Sequence, residues 1–90
     1  MATSGEVIDN RSAQRFELEI EGETAFLEYN RHNGALVLIH TEVPERLRGH
    51  KIGERLVVAA LTAARSDGLR IVAVCPYVRA YLKKHPDASN

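Results

Sequence analysis

Ninety residues make one small domain with one modest core. Twelve basic residues balance twelve acidic ones, which argues against a nucleic-acid partner held by bulk charge. The single cysteine, Cys75, excludes an internal disulfide framework and a cysteine-based metal cluster and fits a reducing compartment, and no stretch approaches the ~20 apolar residues of a membrane span.

The first ten residues, MATSGEVIDN, have neither a basic start nor an apolar run, so no secretory signal is expected and the cytoplasm is the expected location. Residues 1–13 are polar and are expected to fray as a flexible segment, with a short edge strand near Val7 and Ile8. The domain proper is expected over residues 14–88.

From Arg15 the period is two. Phe16, Leu18 and Ile20 alternate with Glu17, Glu19 and Glu21, the pattern of a half-buried strand. Glu21-Gly22-Glu23 signals a turn. A second strand is expected over 24–30, with Ala25, Leu27 and Tyr29 on one face. Asn33-Gly34 is a strong hairpin signal, since both residues tolerate positive φ. The third strand, 35–43, begins with the apolar run ALVLI and is expected to be central and covered on both faces. Pro44 ends it, because proline cannot donate to a ladder.

From His50 to about Ser66 the period becomes helical. Ile52, Leu56, Ala60 and Ala63/Ala64 fall on one stripe, and Gly68 suits a helix stop. RIVAVC, residues 70–75, reads as a short strand. Pro76 opens a second helix at its favoured first position, and Pro86 closes it. The connection from the third strand through the long helix to strand 70–75 is a βαβ crossover, expected to be parallel and right-handed. The order βββαβα describes an α+β fold with helices over a mixed sheet.

Glycine and positive charge meet where the long helix begins, in LRGHKIGERL, residues 47–56. A helix N-terminus carries unpaired backbone N–H groups and about half a positive charge. Gly49 lets the backbone wrap closely round an anion, while Arg48, His50 and Lys51 add side-chain charge. These features describe a phosphate cradle. The P-loop pattern GxxxxGK[ST] and the dinucleotide fingerprint GxGxxG are both absent. The competing reading is an exposed basic helix start whose glycines serve only the turn.

The motif Arg48-Gly49-x-x-Ile52-Gly53, set between a strand and a helix, resembles that of the GNAT acyl-CoA N-acetyltransferase superfamily, (Q/R)-x-x-G-x-(G/A). Arg48 matches the motif arginine and Gly53 its last glycine, while Lys51 stands where the first motif glycine usually lies. The likeness runs over about residues 41–86 and takes in C-P-Y-V (Cys75 to Val78) and Y-x-x-x-H-P (Tyr81 to Pro86), features of the small single-domain branch of GNAT-like proteins. It implies a minimal GNAT-like fold in which an antiparallel meander precedes the βαβ crossover and a C-terminal helix. It implies acetyl-CoA as cosubstrate. Backbone of Glu42, Val43 and Leu47 would contact the pantetheine arm. Amides from Gly49 through His50, Lys51 and Ile52 to Gly53 would hold the pyrophosphate, with Arg48 beside them. Tyr77 would lie by the cofactor exit, and Lys84 would reach the 3′-phosphate.

Three residues are candidates for the chemistry. His40 has the side chain whose ordinary pKa suits a base near neutral pH. It ends an apolar run, where burial would favour the neutral form. The alternative is a strand histidine that hydrogen-bonds a neighbour. Cys75 precedes a helix N-terminus, where an anion is favoured; it could accept the acetyl group, contact the thioester, or serve as a small buried hydrophobe. Tyr81 matches the GNAT tyrosine that can protonate the departing thiolate, or it packs in the core. The four histidines show no ligand spacing, so no metal is expected.

The resulting expectation is an acetyl-CoA-dependent N-acetyltransferase. Its acceptor would be an amine on a protein or a polyamine; the resemblance implies a strand pair walling the acceptor site that is not read here, so a large acceptor such as a protein, or a partner subunit, is expected to supply that wall. The alternatives are a non-catalytic acetyl-CoA sensor and an interaction module without coenzyme binding. Neither nucleic acid nor membrane is expected as a partner, and the chain is expected to be a monomer or a weak homodimer.

Overall fold

The computed structural model describes residues 6–89. Five strands form one sheet: β1 (Ile8–Asn10), β2 (Arg15–Ile20), β3 (Glu23–His32), β4 (Ala35–Glu42) and β5 (Arg70–Ala73). They lie in chain order across the sheet. The first four are antiparallel neighbours, and β4 and β5 are parallel. Helix α1 (Ile52–Ser66) joins β4 to β5, and helix α2 (Pro76–Lys84) follows β5. A mixed sheet with two helices is the α+β arrangement read from the sequence. The meander, the crossover and the C-terminal helix stand in the expected order.

The period-two pattern of the meander puts Leu18, Leu27 and Leu38 on one face, all fully buried. Helix α1 lays Leu56, Val57 and Ala60 onto that face, and Val78 of α2 joins the same apolar cluster. Asn33 and Gly34 turn the β3–β4 hairpin at φ 51 and 76. Within the polar N-terminal stretch, Ile8–Asn10 pairs with β2 as an edge strand. The Tyr29 hydroxyl donates to Asp9 at 2.5 Å, and burial, reinforced by that carboxylate, pushes the phenol above its ordinary pKa. Arg31 donates to Asp67 at 3.0 Å, which ties β3 to the end of α1.

Strand β4 departs from the expectation that both its faces are covered. Helices cover only the inner face. On the other, Ile39 is 39% exposed and Val72 of the neighbouring β5 37%. Two boundaries also move. Helix α1 begins at Ile52 rather than His50, because Lys51 takes a left-handed conformation. Strand β5 ends at Ala73 rather than Cys75, because the amides of Val74 and Cys75 both turn onto the Leu38 carbonyl at 2.9 Å.

Candidate active site at the parting of β4 and β5

The register of β4 with β5 stops at Leu38↔Ala73, yet β4 continues for four more residues to Glu42. The doubled acceptance at the Leu38 carbonyl turns the chain away from the strand direction. Beyond it, the β5-side edge of β4 has no strand beside it among the described residues. Backbone groups on such an edge are ready to pair with an extended ligand.

A bulge decides which side chains reach this opening. Tyr29 pairs with Leu38 and Glu28 with His40, so Ile39 is an extra residue on β4. The extra residue reverses the phase of the strand. Leu36 and Leu38 point inward before it, and Thr41 takes the inward position after it. The Thr41 hydroxyl lies 3.4 Å from the Cys75 sulfur. Cys75 is buried at the N-cap of α2, with Pro76 in the first turn.

His40 is therefore not buried as the apolar run predicted. Its side chain is 53% exposed. Nε2 lies 2.9 Å from a Glu42 carboxylate oxygen, and the ring meets Phe26 edge-on. Both His40 and Glu42 point to the outer face of the sheet, on the far side of β4 from Thr41.

The cradle follows β4. A 3-10 turn, Glu45–Leu47, buries Leu47, and Arg48 Nε donates to the Val43 carbonyl at 3.0 Å. Gly49 has φ +87 with nothing within 4 Å of an added Cβ, so its left-handed backbone opens onto free space. Lys51 follows at φ 61, ψ 25. Arg55 is the first α1 amide with a carbonyl in the helical direction, Lys51 O at 3.1 Å. The amides of Ile52, Gly53 and Glu54 are the orphan donors of the helix start, and Lys51 supplies no side-chain cap.

A left-handed lysine costs about 1 kcal/mol relative to glycine. Lys51→Gly is expected to raise the urea midpoint by the equivalent of up to about 1 kcal/mol, less the entropy glycine adds to the unfolded chain. A lower midpoint in the variant would mean that the lysine is unstrained there.

Opening and cradle feed one cavity of about 310 Å³. Thr41, Val43 and Leu47 line it from β4 and the turn; Arg48, Gly49, Lys51, Ile52 and Gly53 line it from the cradle; Tyr77 closes it from α2. Gly53 serves a purpose not read from the sequence. A Cβ there would stand 2.6 Å from the Tyr77 hydroxyl, so glycine is needed for the phenol to lie against the first turn of α1. Burial pushes the Tyr77 phenol above its ordinary pKa, and Glu54, Cys75 and Tyr81 add to the effect.

The remaining candidates lie off this cavity. His50 is exposed. Tyr81 stacks on His85, ring centroids 4.3 Å apart. With Lys84, Glu54 and Tyr77 it lines a separate hollow of about 70 Å³. Sequence reasoning missed Thr41, because only the bulge turns it inward. No group of three or more His, Cys, Asp or Glu that could hold a metal gathers among the described residues, and no helix there is long and apolar enough to cross a membrane.

A family model described as GCN5-related N-acetyl-transferase matches residues 15–90. Protein NATD1 of Gallus gallus is 32% identical over 84 residues, which cover 90% of this chain and 76% of that protein. The Homo sapiens Protein NATD1 is 32% identical over 80 residues, 86% of this chain and 71% of that protein. The Xenopus tropicalis one is 31% identical over 88 residues, 94% and 81%. The match covers β2 onward, the parting strands and the cradle together, and the chain is a member of the GCN5-related N-acetyltransferase family.

Proposed function

We propose that this protein is an N-acetyltransferase that moves the acetyl group of acetyl-CoA to an amine on a protein or a polyamine. The observation that carries the reading is the single cavity shared by the freed edge of β4 and the orphan amides of α1. An extended amide-bearing arm can pair along the edge at Thr41, Glu42 and Val43. A diphosphate can accept from the amides between Gly49 and Gly53, where the helix dipole favours an anion. These two halves, joined through Leu47, suit the two ends of a pantetheine diphosphate.

The arm would bring its thioester to Thr41 and Cys75. The amine nitrogen attacks the thioester carbonyl, the C–S bond breaks, and the amine's proton leaves to a base. His40 stands on the adjacent outer face, open to solvent and to an incoming acceptor. The coenzyme thiolate takes a proton. Tyr77 presents the phenol nearest the cavity, and Tyr81 lies on its far side. Cys75 acts by contact with the thioester or by accepting the acetyl group before the amine does. The single buried thiol agrees with a cytoplasmic, reducing location, which belongs to this proposal.

One observation favours a second reading, a non-catalytic acetyl-CoA sensor: the outward turn of His40 separates the candidate base from the cavity. Titration of isotope-labelled protein with acetyl-CoA is expected to shift the amides of 41–43 and 49–54. Thiol release is then followed with a polyamine and with a lysine-rich peptide. His40→Ala and Cys75→Ala are each expected to lower kcat by about 100-fold, with affinity for acetyl-CoA unchanged. Binding with no turnover on either acceptor leaves the sensor. No amide shift in the cradle removes both readings.

A further inference from the structure

The Cys75 sulfur does not open onto the main cavity. Cys75 is 2% exposed and is not among the residues that line that cavity. Thr41 is among them, and its hydroxyl lies 3.4 Å from the Cys75 sulfur. Thr41 therefore stands between the thiol and the cavity. Of the side chains that line the cavity from β4 and the turn, those of Thr41, Val43 and Leu47, that of Thr41 alone carries a polar atom. The bulge at Ile39 brings it there. Without the extra residue the alternation would put Thr41 on the outer face and His40 on the inner one.

We infer that Thr41 is a catalytic residue whose hydroxyl donates a hydrogen bond to the thioester carbonyl oxygen, and that Cys75 is a positioning residue acting through it. The inference rests on the acetyl-CoA reading above. When the amine attacks, the carbonyl π pair moves onto the oxygen. A fixed donor at that oxygen stabilises the developing charge. The C–S bond then breaks, the pair re-forms the carbonyl, and Thr41 keeps its proton throughout.

A hydroxyl has one proton to give and two lone pairs that accept, and a thiol is a weak donor. With the thioester oxygen taking the Thr41 proton, the Cys75 S–H donates to Oγ1 and holds the hydroxyl in its rotamer. The sulfur is itself well placed to do so, because the amides of Val74 and Cys75 are both held on the Leu38 carbonyl at 2.9 Å. This narrows the part of Cys75: it acts on the thioester through Thr41 and takes no acetyl group.

The test reads the bound thioester directly. Acetyl-CoA isotope-labelled at the acetyl carbonyl is added to the full chain, and its carbonyl stretch is followed by infrared difference spectroscopy. A donor at the oxygen lowers the stretch, so the wild type is expected to show a lower frequency than Thr41→Val. Thr41→Ser, which keeps a hydroxyl, is expected to recover most of the difference. Cys75→Ala is expected to lose part of it, and Cys75→Ser to recover it by supplying another O–H donor. In turnover with a lysine-rich peptide, Thr41→Val is expected to lower kcat about 100-fold, with acetyl-CoA affinity within a few-fold of wild type. Adding Cys75→Ala to Thr41→Val should slow the enzyme no further, because the two side chains act as one unit. An equal stretch in the wild type and Thr41→Val overturns the inference. So does a Cys75→Ser variant as slow as Cys75→Ala, or an acetyl group found on the Cys75 sulfur and passed on to the peptide. The infrared comparison needs no acceptor. If the folded protein binds no acetyl-CoA, the acetyl-CoA reading itself fails and this inference falls with it, whereas binding with an unmoved carbonyl removes this inference alone.

Discussion

Gly49→Val is expected to weaken acetyl-CoA binding by a hundredfold or more while leaving most of the fold's stability in place. The backbone at Gly49 has φ +87, and an added Cβ would meet nothing within 4 Å. Space is therefore not the obstacle. A β-branched residue cannot hold that conformation without a cost of about 1–3 kcal/mol. The loop is exposed on both sides of Gly49, so it relaxes to another conformation rather than unfolding the domain. Relaxation turns the amides of residues 49–53 away from a common point. Two lost hydrogen bonds to a charged ligand, at about 1.5–3 kcal/mol each, account for the hundredfold. Gly49→Asn separates backbone from bulk, because asparagine visits the left-handed region readily. It should bind within a few-fold of wild type despite a larger side chain than alanine, whereas Gly49→Ala should fall between Asn and Val. Wild-type affinity in the valine variant, read by calorimetry, would remove the converging amides from the account of binding.

The elements that were legible in the sequence owe it to local physics. Phe16, Leu18 and Ile20 alternate with glutamates, and a strand with one wet face has no other way to be written. Asn33-Gly34 states its turn type directly. Pro76 opens α2 because the first helical position needs no amide. The left-handed turn before α1 was legible for the same reason: Gly49 beside clustered positive charge at a helix start is a local pattern. What was not legible depends on neighbours distant in sequence. The bulge at Ile39 exists through the pairing of β4 with β3, and ALVLI has no polar residue to mark the change of phase. His40 therefore reads as the inward end of an apolar run, and Thr41 reads as nothing. Gly53 reads as a cradle residue because the phenol it accommodates is 24 residues away in the chain.

Leu38→Ala is expected to cost about 2–5 kcal/mol, a large share of the roughly 5–13 kcal/mol that a domain of this size holds. Leu38 is fully buried, pairs across the sheet with Tyr29 and Ala73, and its carbonyl takes both amides that turn β5 into α2. The alanine leaves a cavity at the point where the two strands part, so acetyl-CoA affinity should fall along with stability. Its neighbours supply the contrast. Ile39 lies in the bulge and is 39% exposed, so Ile39→Ala should cost less than about 1.5 kcal/mol. His40→Ala should fall within about 0.5 kcal/mol of wild type, since a half-exposed side chain beside Glu42 and the edge of Phe26 adds little. Urea midpoints at constant m-value measure all three. The steep drop between positions 38 and 40 is the signature of the phase reversal. Were His40→Ala to cost as much as a core truncation, the strand would continue its alternation through residue 40, the imidazole would point inward beside Cys75, and the acceptor amine would have to approach from the helix side of the sheet.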